Sequence, residues 1–193
     1  MSVDTMQDTS LQLGQTLKSK RQAMGWSLDR TAQETGVSKA MLGQIERGES
    51  SPTIATLWKI ATGFNVALSE FTDPLDRQLD TELRQADQLR HQPAQDQMLV
   101  ASLFPYDPAL GYELFELTLL PGYERQSEPH AEGVTEAVIV IRGEMELLFD
   151  GQWHPMREGD AVRFAADRPH GYRNLGQTAA VFHNLIHYRH HRD

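Results

Sequence analysis

Gly36-Val37-Ser38-Lys39-Ala40-Met41-Leu42-Gly43-Gln44-Ile45-Glu46-Arg47-Gly48 reads as a turn, a capped helix and a stop. Ser38 is placed to accept from the free amides of a first helical turn. Gly48 supplies the left-handed conformation that ends a helix. Met41, Leu42 and Ile45 fall on one side of the helix and make a buried face. Lys39, Ala40, Gly43 and Gln44 fall on the other, with small residues between the polar ones.

The preceding segment extends the pattern. Ser27 caps a helix through Leu28, Ala32 and Glu34, with Leu28 and Ala32 expected to face inward, and Gly36 breaks it. A small residue at Ala32, glycine at Gly36, and aliphatics at Leu42 and Ile45 have the spacing of a helix-turn-helix. A polar face with small residues can approach a DNA major groove and offer it an amide and an ammonium. An ordinary helical hairpin with a solvated polar face is the alternative.

The chain has 193 residues, net charge −9 and no cysteine, which excludes disulfide frameworks and cysteine zinc sites. It shows no membrane-spanning run or signal core, so a cytoplasmic protein is expected. The charge is unevenly divided. Residues 1–72 hold seven Lys or Arg against seven acids, and residues 73–193 hold eleven Arg against twenty acids. The first part is neutral, so its non-specific attraction to phosphate is expected to be modest.

Five helices are expected over residues 10–72, after a polar, unstructured Met1–Thr9. The first runs from Ser10 to Gly25, and a fourth begins with Pro52 at its first helical position. Residues 73–97 are sparse in apolar residues and read as a linker or a weak first strand. Over residues 98–193 the period changes to alternation, with strands at Met98–Phe104, Tyr112–Leu120, Glu136–Ile141, Glu144–Phe149, Ala161–Phe164 and Ala179–Tyr188. Pro105 and Asp150-Gly151 are read as turns, the latter a hairpin signal. The fold class is therefore an all-α five-helix unit followed by an all-β jelly roll.

Residues 10–71 resemble the phage-repressor (Cro/cI or XRE) type of helix-turn-helix, most specifically at Gln44-Ile45-Glu46-Arg47-Gly48. The resemblance implies groove contacts at Lys39, Ala40, Gly43 and Gln44, and phosphate contacts at Ser27, Ser38 and Arg47. It also implies a structural pair between Arg21 and Glu46. Residues 98–188 resemble a cupin (double-stranded β-helix). The first motif is carried by Gly122, Glu128, His130, Glu136 and Gly143, and the second by Gly159, His170 and Asn174.

This chain departs from the cupin pattern where Glu128 replaces the first histidine and the spacing to Glu136 is one residue longer. Taken as strand neighbours, Glu128 and His130 share a face, and with Glu136 and His170 they suit zinc, manganese, iron or nickel. A metal-free pocket is the alternative. Tyr123, Arg125 and Tyr172 flank the site, either to hold a small anionic ligand or as rim residues. His183 and His187 share a strand face, and His190 and His191 read as a polar tail.

The two resemblances together imply a dimeric regulator that binds a double-stranded operator and senses a small molecule such as an amino acid or a sulfur metabolite. The competing readings are a metal-dependent cupin enzyme of isomerase or dioxygenase type, and a protein-interaction module.

Overall fold

The computed structural model describes residues 3–72, 83–92, 94 and 96–189. Residues 73–82 of the expected linker and the His190-His191 tail lie outside them. The chain divides into two compact units, Met1–Thr72 and Asp73–Asp193.

The first unit holds α1 (Val3–Ala23), α2 (Leu28–Thr35), α3 (Lys39–Glu46), α4 (Ile54–Phe64) and α5 (Ser69–Thr72). The first helix begins at Val3 instead of Ser10. No glycine or proline interrupts residues 3–13, and extending a nucleated helix needs only one residue fixed per added hydrogen bond. Ser27 Oγ accepts from the Arg30 amide at 3.1 Å and Ser38 Oγ from the Met41 amide at 3.2 Å, so both expected caps are in place. Gly36 has φ 65° and Gly48 φ 69°, as a turn and a stop require. Pro52 does not open α4. Thr53 caps that helix through the Thr56 amide, which leaves Pro52 just outside it.

The buried positions of α2 are Thr31 and Thr35, while Leu28 and Ala32 are half-buried. The threonine hydroxyls need no partner outside the helix. Thr31 donates to the Ser27 carbonyl, and Thr35 donates to that of Thr31 while accepting from the Val37 amide. Close helix approaches fall at glycines. A Cβ on Gly14 would stand 2.3 Å from the Ile45 carbonyl oxygen, and one on Gly63 2.7 Å from the Glu34 carbonyl oxygen. Leu17, Leu42, Ile45, Ile54, Ile60 and Leu68 fill the core between them.

Two antiparallel sheets form the second unit. The first has the order β1 (Met98–Asp107), β2 (Tyr112–Leu119), β9 (Ala180–His187), β4 (Thr135–Arg142), β7 (Ala161–Ala165). The second has the order β3 (Glu124–Ser127), β8 (His170–Arg173), β5 (Glu144–Phe149), β6 (Gln152–Arg157). They face one another through contacts such as Tyr172 stacked on Phe182, with ring centroids 5.4 Å apart, and Phe149 on Phe164. Phe115, Leu117, Leu119, Val138 and Phe182 line the inner face of the larger sheet.

The strands β3, β6 and β8 were not legible as alternation. Glu124-Arg125-Gln126-Ser127 is wholly polar, β6 contains Pro155, and β8 has four residues. The strands β3 and β6 are edges, where a polar run or a proline is tolerated. Pro105 likewise lies inside edge strand β1, where the register slips on both sides of Phe104. Asp150 (φ 48°) and Gly151 (φ 77°) make the expected tight hairpin between β5 and β6. The described part of 83–97 is folded onto β1. A short helix α6 (Ala86–Leu89) leads to a bridge between His91 and Val100, and the Arg90 guanidinium pairs with Asp87 and Glu116.

The implied Arg21–Glu46 pair is formed. Arg21 Nε donates to Glu46 Oε1 at 2.6 Å, Nη2 to Oε2 at 2.9 Å, and Nη1 to the Trp26 carbonyl at 2.9 Å. The two side chains are 14% and 8% exposed. Replacing Glu46 with alanine leaves a mostly buried guanidinium without its charge partner, so the helical unit is expected to lose about 3 kcal/mol. Thermal melts of wild type and Glu46→Ala measure it, and coincident melts would dismiss the pair as a stabilising element.

Candidate functional site

The α3 surface follows from its caps and from the burial of Leu42 and Ile45. With those turned inward, Lys39, Ala40 and Gln44 are exposed, together with Ser27 and Ser38 at the two helix starts and Arg47 after α3. Gly43 differs from expectation because it is buried. A Cβ there would stand 3.1 Å from Arg47 Nη1, so the Arg47 side chain lies over it. Gly43 thus seats Arg47 and does not itself face outward. Lys39 Nζ donates to Asp29 at 2.8 Å, and Arg47 donates twice to Glu49 at 2.8 and 2.7 Å. Exposed pairs of this kind are weak, so a phosphate can displace the carboxylates. The Gln44 side chain is exposed and makes no hydrogen bond within the described residues, which leaves its amide available.

In the second unit, His130, Glu136 and His170 present ligand atoms all within 4.8 Å of one another. The three come from the loop after β3, from β4 and from β8. Glu136 Oε1 lies 2.8 Å from His130 Nε2 and 3.5 Å from His170 Nε2. Its other oxygen, Oε2, accepts from Tyr172 Oη and from Asn184 Nδ2, the latter at 3.0 Å. Two atoms each about 2.1 Å from one ion stand about 3.0 Å apart at a right angle and about 3.4 Å apart at the tetrahedral angle. The observed 2.8 and 3.5 Å lie within about 0.2 Å of these values, so the residues suit one divalent ion.

The tautomer of His170 sharpens the point. Its Nδ1 lies 2.8 Å from the Arg168 carbonyl and is assigned as the donor to it. A neutral ring then turns a bare Nε2 lone pair towards Glu136, which repels it unless a proton or a metal ion lies between. Consistently, burial pushes the His170 pKa down, but the Glu136 carboxylate more than reverses this and the net shift is upward. Burial pushes Glu136 up, and hydrogen bonds from His130 and His170 outweigh it, holding the carboxyl well below its usual range.

Glu128 is not part of this cluster. The strand β3 ends at Ser127, so the alternation that was to place Glu128 beside His130 stops before it, and Glu128 is exposed. Tyr123 is buried with its hydroxyl 3.9 Å from Met98 Sδ, and burial raises its pKa to about 12. Tyr172 is buried against Glu136, and Arg125 is half-buried directly across the β3–β8 ladder from Tyr172. Asn184 was missed. Its signal was a polar residue at the same parity as Phe182 and Ile186, both inward on β9. His183 and His187 take the opposite parity, so they belong to the outer face.

The pair gives the metal-free unit a pH optimum. The lowered Glu136 contributes stability that is full above the ordinary carboxyl value of about 4.3 and is lost as pH falls. The raised His170 contributes stability that is full below about 6.5 and is lost as pH rises through its folded value. Melts of chelator-treated protein should therefore peak between about pH 4.3 and 6.5. The peak should flatten in Glu136→Gln, and superimposable profiles would refute the pairing.

A helix-turn-helix family model (HTH_3) matches residues 17–71, and a cupin domain model (Cupin_2) matches residues 115–186. The chain is 50% identical over 183 residues to the HTH-type transcriptional regulator SutR of Escherichia coli, covering 95% of this chain and 98% of that one. It is 26% identical over 170 residues to the regulator PuuR of the same organism, covering 88% and 91%. Among solved structures, an HTH_3 family transcriptional regulator from Vibrio cholerae superposes with a TM-score of 0.82 at 46% identity, covering 96% of this chain and 99% of that one. With its capped α3 and two-sheet barrel, this chain belongs to the helix-turn-helix transcriptional regulators that carry a C-terminal cupin domain.

Proposed function

We propose that the protein is a cytoplasmic, dimeric regulator whose helical domain (residues 10–72) reads an operator and whose cupin domain (residues 98–193) senses a small effector. The observation that carries this reading is one chain holding both an exposed α3 face and, in a separate unit, a buried His130–Glu136–His170 cluster. The helix α3 enters the major groove with Lys39, Ala40 and Gln44 towards base edges. The amides at the Ser27 and Ser38 helix starts, together with Arg47, meet phosphates. One such helix covers a short half-site, and two about 34 Å apart read a palindrome.

Titration against operator and scrambled DNA tests the reading. Gln44→Ala is expected to lose about 1–3 kcal/mol on operator and almost nothing on scrambled DNA, because an amide pairs with adenine through two hydrogen bonds. Equal losses on both would show that Gln44 does not read bases. An absence of sequence-selective binding in the wild type would favour the protein-interaction alternative.

The cupin domain holds its divalent ion through His130, Glu136 and His170. Tyr172 and Asn184 keep the second carboxylate oxygen in place, as partners behind a metal ligand do. Such an ion supplies a Lewis-acid position for an effector's carboxylate or sulfur. Tyr123, Arg125 and Tyr172 line the effector's place. Metal analysis of untagged wild type against the His130→Ala, His170→Ala double variant checks this. The wild type should carry about one ion per chain and the variant none. The same trace in both would exclude the site.

Two histidines and one carboxylate are also the donor set of metal-dependent oxygenases, which supports a metal-dependent cupin enzyme as the second reading. Turnover of small metabolites by metal-loaded protein, lost in the same variant, would favour it over sensing.

A further inference from the structure

Among the described residues, two buried polar atoms on the inner face of the larger sheet lack partners. Ser102 Oγ and Asn184 Oδ1 have no hydrogen bond there, although their residues are only 6% and 1% exposed. They lie in one register row, since Ser102 is opposite Phe115 and Phe115 is opposite Asn184. The orientation of Asn184 follows from its surroundings. Its Nδ2 donates to Glu136 Oε2 and faces Tyr172 Oη at 3.4 Å, so Oδ1 points away from both. A buried acceptor in that position calls for an N–H or O–H donor from something else.

Arg125 approaches from the other sheet. It sits directly opposite Tyr172, and cross-strand partners project to the same face, so Arg125 is on the side from which Tyr172 reaches Glu136. No carboxylate of the described residues forms an ion pair with it, in contrast to Arg173 on the outer face, which is held by Glu146. A guanidinium without its anion and an acceptor without its donor therefore flank the same Tyr172 phenol.

We propose that Arg125 and Asn184 bind a small carboxylic acid carrying a hydroxyl or ammonium beside its carboxylate. Arg125 takes the carboxylate through its planar fork and Asn184 Oδ1 accepts from the neighbouring donor, with Ser102 a second polar contact in that row. One guanidinium matches one carboxylate through two parallel N–H donors. This rests on the effector-sensing reading above and names its ligand class.

Propionate, lactate and alanine share a three-carbon acid skeleton and differ at the carbon beside the carboxylate. Each is titrated into the full chain by calorimetry, with ethylamine as the probe that has a donor but no acid. Lactate or alanine is expected to bind at least about tenfold more tightly than propionate, the worth of one well-made hydrogen bond. Ethylamine should not bind. Arg125→Gln should abolish binding at an unchanged melting temperature, with partial recovery in Arg125→Lys. Binding that survives Arg125→Gln, or no binding by any of the acids, would overturn the site. Equal affinity for propionate and lactate would overturn the role of Asn184. Operator titration with and without the bound acid separates the two ideas. An acid that binds through Arg125 yet leaves operator affinity unchanged would sink sensing while this site stands.

Discussion

The Glu136 carboxylate is the interaction on which the β unit is organised. A charge at 1% exposure costs several kcal/mol to desolvate unless its lone pairs are met. Here they are met by His130, His170, Tyr172 and Asn184, which come from a loop and from strands of both sheets. The carboxylate therefore pins the two sheets at one height. Its Oε2 is held by the neutral donors of Tyr172 and Asn184, while Oε1 faces two imidazoles that hold a proton or a metal ion. The same geometry that satisfies the protein without an ion presents a ligand set to one.

The helical unit uses a charged pair for a different end. Arg21 reaches Glu46 with two nitrogens and the Trp26 carbonyl with the third, tying α1 to the last residue of α3 and to the start of the next turn. Gly14 lets the α1 backbone come against the Ile45 carbonyl at the same crossing. With one face of α3 locked in this way, its other face has no packing role, and its residues are free to be chosen for what they touch outside the protein.

That outer face is close to neutral by construction. Asp29 accompanies Lys39, and Glu49 accompanies Arg47, so a phosphate must replace a carboxylate to gain either cation. In the proposed reading, binding driven by counterion release is weakened on every sequence alike, and discrimination would fall to groups that carry no charge, Gln44 first among them. The even charge count of residues 1–72 thus describes a local pairing of charges, not a scatter of unrelated ones.

Local chemistry was enough to determine the helix caps at Ser27 and Ser38, the stops at Gly36 and Gly48, the Asp150-Gly151 hairpin and most strands of the larger sheet. Each depends on neighbours within a few residues, and that information is linear. The motif spacing also reached His130, Glu136 and His170. Only the tertiary structure decided which carboxylate joins them. Glu128 is excluded because β3 stops one residue earlier, and Asn184 is included because β9 lies between β2 and β4. Gly43 went inside because the long Arg47 side chain folds back over it, and Thr31 and Thr35 could be buried because their hydroxyls find backbone carbonyls one turn away. The short strands β3, a polar edge, and β8, beside it, carry Arg125, His170 and Tyr172 without any apolar alternation to announce them. Their pairing is set by the sheet they complete, a long-range fact that no window of sequence contains.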